Sequence, residues 1–177
     1  MGFDKVFEPL GGVAPLARIA RALAGRSYSI VVRSADIERA RRLVEPDTAL
    51  IANDAPERGM THSLRLALAY VDPRLPVGVL LGDMPFVTDA HIGAVEALLA
   101  PSVDVAFPVD DAGRPGHPVI FAASARGALA AVPDGDTLRA ARDDPRLHRA
   151  TVVIHDARAF DDVDSPADWN RSDRMHP

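Results

Sequence analysis

Val77-Gly78-Val79-Leu80-Leu81-Gly82-Asp83-Met84-Pro85-Phe86-Val87-Thr88 is the stretch whose reading decides the fold. Its opening run, VGVLL, is almost wholly apolar, too short for a helix and closed by a turn at Gly82-Asp83. That is the pattern of a strand buried on both faces of a parallel sheet. Pro85 stops further pairing. In open α/β sheets ligands bind beyond the carboxyl ends of strands, so the spacing puts Asp83 on the rim that carries chemistry. A carboxylate there either hydrogen-bonds its own turn or ligates a hard cation. The stretch alone leaves both open.

Outward from it, strand and helix patterns alternate. Strands are expected at Tyr28–Val32, Ala49–Ala52, Val103–Pro108, His117–Phe121 and Thr151–Ile154. Helices are expected over residues 13–24, 35–44, 59–71, 89–99 (capped by Thr88), 124–131 and 136–142, with a last one capped by Ser165 and running through Trp169. Asp110–Gly116 reads as a turn between antiparallel neighbours. The alternation predicts an α/β domain, a Rossmann-like, mainly parallel sheet flanked by helices. Arg39, Arg41 and Arg42 are expected to face solvent.

At 177 residues the chain fits one domain, and its 47% hydrophobic and 25% charged content is that of a folded globular protein. A net charge of −5 argues against nucleic acid and anionic membrane as partners. The absence of cysteine excludes disulfides and thiolate metal sites. No apolar run reaches membrane-span length and residues 1–12 lack a signal-peptide core, so the expected location is cytoplasmic.

Two further regions carry polar groups with a chemical reading. Thr61, His62 and Ser63 follow Gly59 at a helix start, where free N–H groups hold anions; capping by Thr61 accounts for only one of the three. Asp164 precedes the cap Ser165, whereas Asp161 reads as part of a solvated turn. Asp83 and Asp164, on separate loops at one sheet edge, have the character of a shared Mg²⁺ site of the kind used in phosphoryl or nucleotidyl transfer. Neither a P-loop nor a G-x-G-x-x-G motif is present.

Taken in order, Met1-Gly2-x-x-Lys5, Pro9-Leu10-Gly11-Gly12, Gly59-Met60-x-x-Ser63-Leu64, Leu81-Gly82-Asp83-Met84-Pro85, Gly116-His117-Pro118-Val119 and Asp162-Val163-Asp164-Ser165-Pro166 resemble the MobA-like nucleotidyltransferases, and within them the molybdenum cofactor cytidylyltransferases. The resemblance spans essentially the whole chain, read as a single domain over residues 1–177. It implies a glycosyltransferase-A-type fold and transfer of a nucleoside monophosphate (CMP or GMP) from CTP or GTP to a small phosphorylated acceptor such as molybdopterin cofactor, with Mg²⁺ and release of pyrophosphate. Carried over by position, Asp83 and Asp164 are metal ligands, and Lys5 meets the triphosphate. Gly59 and Ser63 lie against the nucleotide, and Gly116 and His117 line the acceptor side. His117 also reads as a plain turn histidine.

Two departures stand out. Relatives begin with a buried strand and a glycine-rich loop ending in Arg-Met-Gly, whereas this sequence starts at that Met-Gly. Gly135-Asp136-Thr137-Leu138 lacks a second glycine that relatives carry after the aspartate. With the usual first strand missing, through a misplaced start or a true truncation, nucleotide binding by residues 1–177 is expected to be weak and to recover when that segment is restored. The alternatives are a non-catalytic relative acting through a protein partner or homo-oligomer, and a sugar-phosphate nucleotidyltransferase.

Overall fold

Short β-branched runs form the strands of this protein, seen in a computed structural model that describes residues 5–9 and 11–163. Ser29–Arg33 (β1) and Ala49–Asn53 (β2) pair in parallel, from Ser29 opposite Ala49 to Arg33 opposite Asn53. Val77–Val79 (β3), Val105–Val109 (β4), Val119–Phe121 (β5) and Arg149–Val153 (β6) form a second sheet in the order β3-β5-β4-β6. β5 runs antiparallel to both neighbours, while β4 and β6 are parallel. The parallel ladders are each five residue pairs long and the antiparallel ones three and two, so the mainly parallel α/β reading holds with β5 as the antiparallel member.

The helices are Pro15–Ala22 (α1), Ile37–Arg41 (α2), Met60–Leu68 (α3), Asp89–Glu96 (α4), Arg126–Ala130 (α5) and Leu138–Arg142 (α6). Thr88 caps α4 as expected. Its hydroxyl accepts from the His91 N–H at 3.3 Å while the His91 ring nitrogen accepts from the Thr88 N–H, so two free donors are satisfied together. α3 stops at Leu68, short of the expected Val71, because Arg126 donates to the carbonyls of Leu68 and Val71 at 3.4 and 3.2 Å and closes the helix end from α5.

Strand alternation divides the core. Val105, Phe107, Val119 and Phe121 face Leu64, Leu129, Leu138 and Ala141 from α3, α5 and α6, while Ala106 and Ile120 face Val95 of α4. A separate cluster of Phe7, Leu16 and Ala40 lies beneath Ile30, Val32 and Leu50 of the first sheet.

The opening stretch departs from its expected form. β3 ends at Val79, with Gly78 exposed and its flanking valines half-buried. Leu80 and Leu81 leave the ladder and pack with Met84, Val87 and Ile92. Apolar continuity here serves two clusters rather than one doubly buried strand. Among the described residues β1 pairs only with β2 and β3 only with β5, so the sheet is in two pieces. Val6 bridges them: it packs in the cluster of Val32 on one side, and its methyl group lies 3.6 Å from where a Cβ on Gly82 would be. The arginines of the second helix are also partly used. Arg41 donates to the carbonyls of Pro46 (3.1 Å) and Thr48 (2.8 Å), and Arg39 lies over the Phe7 ring; only Arg42 faces solvent freely.

Candidate active site

Asp83 lies four residues beyond β3, in a turn closed by the Met84 N–H on Leu81 and the Val87 N–H on Met84, with Met84 and Pro85 buried beneath it. Lys5 reaches it across the chain, Nζ to Oδ2 at 2.6 Å, with both side chains partly shielded. The other carboxylate oxygen, Oδ1, is buried and meets no hydrogen-bond donor among the described residues. A buried anionic oxygen without a partner costs more than the roughly 1–3 kcal/mol of a neutral group, so this one is kept for a ligand or at a standing cost to stability. An oxygen in that state fits a divalent cation, whose hard-oxygen preference matches it.

The Val163 N–H donates to the Asp83 carbonyl at 2.9 Å, so the chain that follows β6 is fixed against the Asp83 turn. Asp164 and the expected helix from Ser165 to Trp169 lie outside the described residues. Among the described residues no three histidine or acidic side chains are grouped to enclose a metal.

His117 enters from β5. Its Nδ1–H donates to the Val79 carbonyl at 3.0 Å, at the last residue of β3. Burial lowers its pKa, opposed by the Val79 bond; the Arg142 charge lowers it further and the Asp83 charge raises it. The ring is therefore neutral at neutral pH and within the field of Asp83. Gly116 is buried, and a Cβ there would come within 2.5 Å of the Phe160 ring. Its lack of a side chain thus has a packing reason, whatever else it does.

Gly59 has φ 84° and ψ −173°, a backbone region essentially closed to other residues, and it sets the direction of α3. Thr61 does not cap this helix. It is 1% exposed, inside the first turn, with its hydroxyl unpartnered among the described residues. The expected capping role of Thr61 is therefore not taken up. The N–H groups of residues 60–62 likewise have no backbone acceptor among the described residues, so the helix start is a row of donors. Ser63 sits one turn in, and its hydroxyl accepts from Asn53 Nδ2 at 2.9 Å. Asp134 pins the loop holding Gly135 to this region through ion pairs with Arg58 (2.8 Å) and Arg65.

The structure thus brings Lys5 to Asp83, puts His117 beside them through Val79, and places Gly59 and Ser63 at the carboxyl end of β2. Asn53, Phe160 and Val163 were not singled out from the sequence as site residues. Only Asn53 had a usable signal, a polar residue closing the apolar strand Ala49-Leu50-Ile51-Ala52.

The two depressed histidines give a pH expectation. His91 is lowered chiefly by burial, as is His117, from an ordinary value of 6.5. The unfolded chain therefore takes up these protons first. Their stabilisation is complete above 6.5 and lost as pH falls below it toward the lower folded values. The urea midpoint is expected to drop between pH 7.5 and 5.5, and the drop to shrink in His91→Gln. An unchanged midpoint over that range refutes the assignment. Carboxylates held low by arginine partners, such as Asp134 and Asp143, act in a separate window below 3.8.

Comparison with known proteins places the fold and the family. The bifunctional protein GlmU of Cupriavidus taiwanensis is 34% identical over 96 residues, which is 52% of this chain and 21% of that protein. The chain thus spans about a fifth of the length of such curated relatives. Rv0371c of Mycobacterium tuberculosis H37Rv superposes with a TM-score of 0.81 at 25% identity, covering 97% of this chain and 89% of that one. The same protein has also been solved in complex with manganese (TM-score 0.74, 24% identity, 95% and 90% covered). Molybdopterin-guanine dinucleotide biosynthesis protein A of Archaeoglobus fulgidus shares the fold, with a TM-score of 0.65 at 19% identity over 98% and 91% of the two chains. Since the sequence model of the MobA-like NTP transferase domain matches residues 1–151, most of the chain, this protein belongs to that nucleotidyltransferase family.

Proposed function

We propose that the protein transfers a nucleoside monophosphate from CTP or GTP to a small phosphorylated acceptor such as molybdopterin cofactor, releasing pyrophosphate, in the cytoplasm. The observation that carries this is Asp83: one oxygen on Lys5, the other buried and unpartnered, at the carboxyl end of β3. Asp83 would hold Mg²⁺, with Asp164 as the second carboxylate. When bound, the ion supplies neutralisation of charge on the phosphate oxygens. The manganese in the solved mycobacterial protein supports a divalent ion in this fold.

In this reading Lys5, held on Oδ2 of Asp83, exchanges that carboxylate oxygen for a triphosphate oxygen, a point-charge contact suited to its flexible ammonium. The amides of residues 60–62 and the Ser63 hydroxyl bind the nucleotide as donors, Gly59 setting their direction. Gly116 and His117 lie on the acceptor side, with neutral His117 orienting rather than charging it. The acceptor's phosphate oxygen attacks the α-phosphorus and the bond to the pyrophosphate oxygen breaks, so no covalent enzyme intermediate is needed. No helix among the described residues is long and apolar enough to cross a membrane, in keeping with a water-borne substrate.

The test is pyrophosphate release from CTP and GTP, each with Mg²⁺, with and without molybdopterin cofactor; acceptor-dependent release from one nucleotide is the expected result. No release from either, at nucleotide concentrations high enough to fill a weak site and where the protein is folded, removes this reading. Ser63→Ala is expected to raise KM for the nucleotide roughly two- to tenfold, the worth of one hydrogen bond, with kcat nearly unchanged. An unaltered KM takes Ser63 out of the site.

A further inference from the structure

We infer that Asn53 is a positioning residue: it fixes the Ser63 hydroxyl as an outward hydrogen-bond donor, so that this point of the pocket selects a lone-pair acceptor on the nucleotide. The inference rests on the nucleotide-binding role of Ser63 given above. Asn53 closes β2, is 3% exposed, and uses both ends of its amide. Its Oδ1 accepts from the Ala55 N–H at 2.9 Å, which fixes which end of the amide is oxygen. Nδ2 must then point to Ser63, and donates to Oγ at 2.9 Å. An amide nitrogen cannot accept, so at this contact Ser63 is the acceptor and its own proton is left over.

That proton has no acceptor among the described residues. A helical serine commonly donates to the carbonyl four residues back, here Gly59, but Ser63 approaches that carbonyl only through its backbone N–H, at a long 3.5 Å. The hydroxyl proton therefore adds to the free N–H groups of residues 60–62, and donors predominate at this corner. Its complement is a phosphate oxygen, or a carbonyl or ring nitrogen of the base.

Asn53→Asp separates this role from a structural one. The aspartate keeps an oxygen for Ala55 but presents an acceptor to Ser63, which reverses the hydroxyl and turns its lone pairs toward the ligand. KM for the nucleotide is expected to rise at least as much as in Ser63→Ala, up to about tenfold or more. kcat stays within about twofold, and Asn53→Asp/Ser63→Ala is no worse than the weaker-binding single variant. Asn53→Ala, which leaves the hydroxyl free to rotate, is expected to fall between wild type and Ser63→Ala, and decides the matter if the aspartate variant does not fold.

Inorganic tripolyphosphate as a competitor distinguishes the two sources of the acceptor atom. If Ser63 meets phosphate, its inhibition weakens in parallel with KM; if Ser63 meets the base, it does not change. Wild-type KM in the Asn53 variants, with KM raised in Ser63→Ala, overturns the positioning role and leaves the nucleotide reading intact. Wild-type KM in Ser63→Ala overturns both. Additive losses in the double variant show that Asn53 acts on its own account and also refute the inference.

Discussion

Asp83→Asn is expected to lower kcat/KM for nucleotidyl transfer by about a thousandfold or more, while Tm stays within a few degrees of wild type. The two halves of this result have different causes. On the proposed reading Asp83 holds the cation that neutralises the reacting phosphates, a contribution of several kcal/mol, and each 1.36 kcal/mol is tenfold in rate. The amide is the same size but carries no charge. Its effect on stability is small because the Lys5 pair is partly open to solvent and such pairs are worth about 0–1 kcal/mol. Removing the charge also relieves the buried, unpartnered Oδ1. Thermal unfolding together with pyrophosphate release checks both halves. A fall in Tm of ten degrees with activity retained would return Asp83 to a role in its own turn.

Phe121→Ala should produce the largest loss of stability from a single side chain. Phe121 is fully buried and lies opposite Val77 on one side and Val105 on the other, so it is where β3 and β4 are tied through β5. Emptying such a site costs about 3–5 kcal/mol. For a chain of this length that lowers Tm by roughly 6–20 °C. Nucleotide KM in the fraction that remains folded should be unchanged, since Phe121 faces Leu64 and Leu129 rather than the rim. A Tm loss below about 3 °C would mean that the second sheet is not held together at β5.

Periodicity and cap chemistry located the helices because both are local. Thr88 and the apolar residues of α4 read directly, although His91 as the partner of Thr88 did not, since histidine is not the usual residue there. The end of α3 was set by Arg126, 58 residues beyond Leu68, and nothing in the helix itself announces it. VGVLL misled for a related reason. An apolar run says that side chains are buried but not against which neighbours, and here Leu80 and Leu81 turn to α4. The same limit applies to the site. The motifs marked Lys5 and Asp83 separately, but their contact bridges 78 positions and needs the tertiary fold. Asn53 passed as a strand terminator because a buried polar residue is informative only once its burial is known.

The break between the two sheets has a thermodynamic consequence. The β1–β2 pair and the β3–β6 sheet share no ladder among the described residues, and Val6 with the face of α3 spans the seam. Ser63 belongs to one side of it and Asp83 to the other. A nucleotide that engages both would act as a crosspiece, so that filling the pocket and holding the halves together become one equilibrium. At a hundred times its Kd such a ligand adds about 2.7 kcal/mol to the folded state, as much as a well-packed core side chain. Amide exchange along β1 and β3 would then slow together as nucleotide concentration rises.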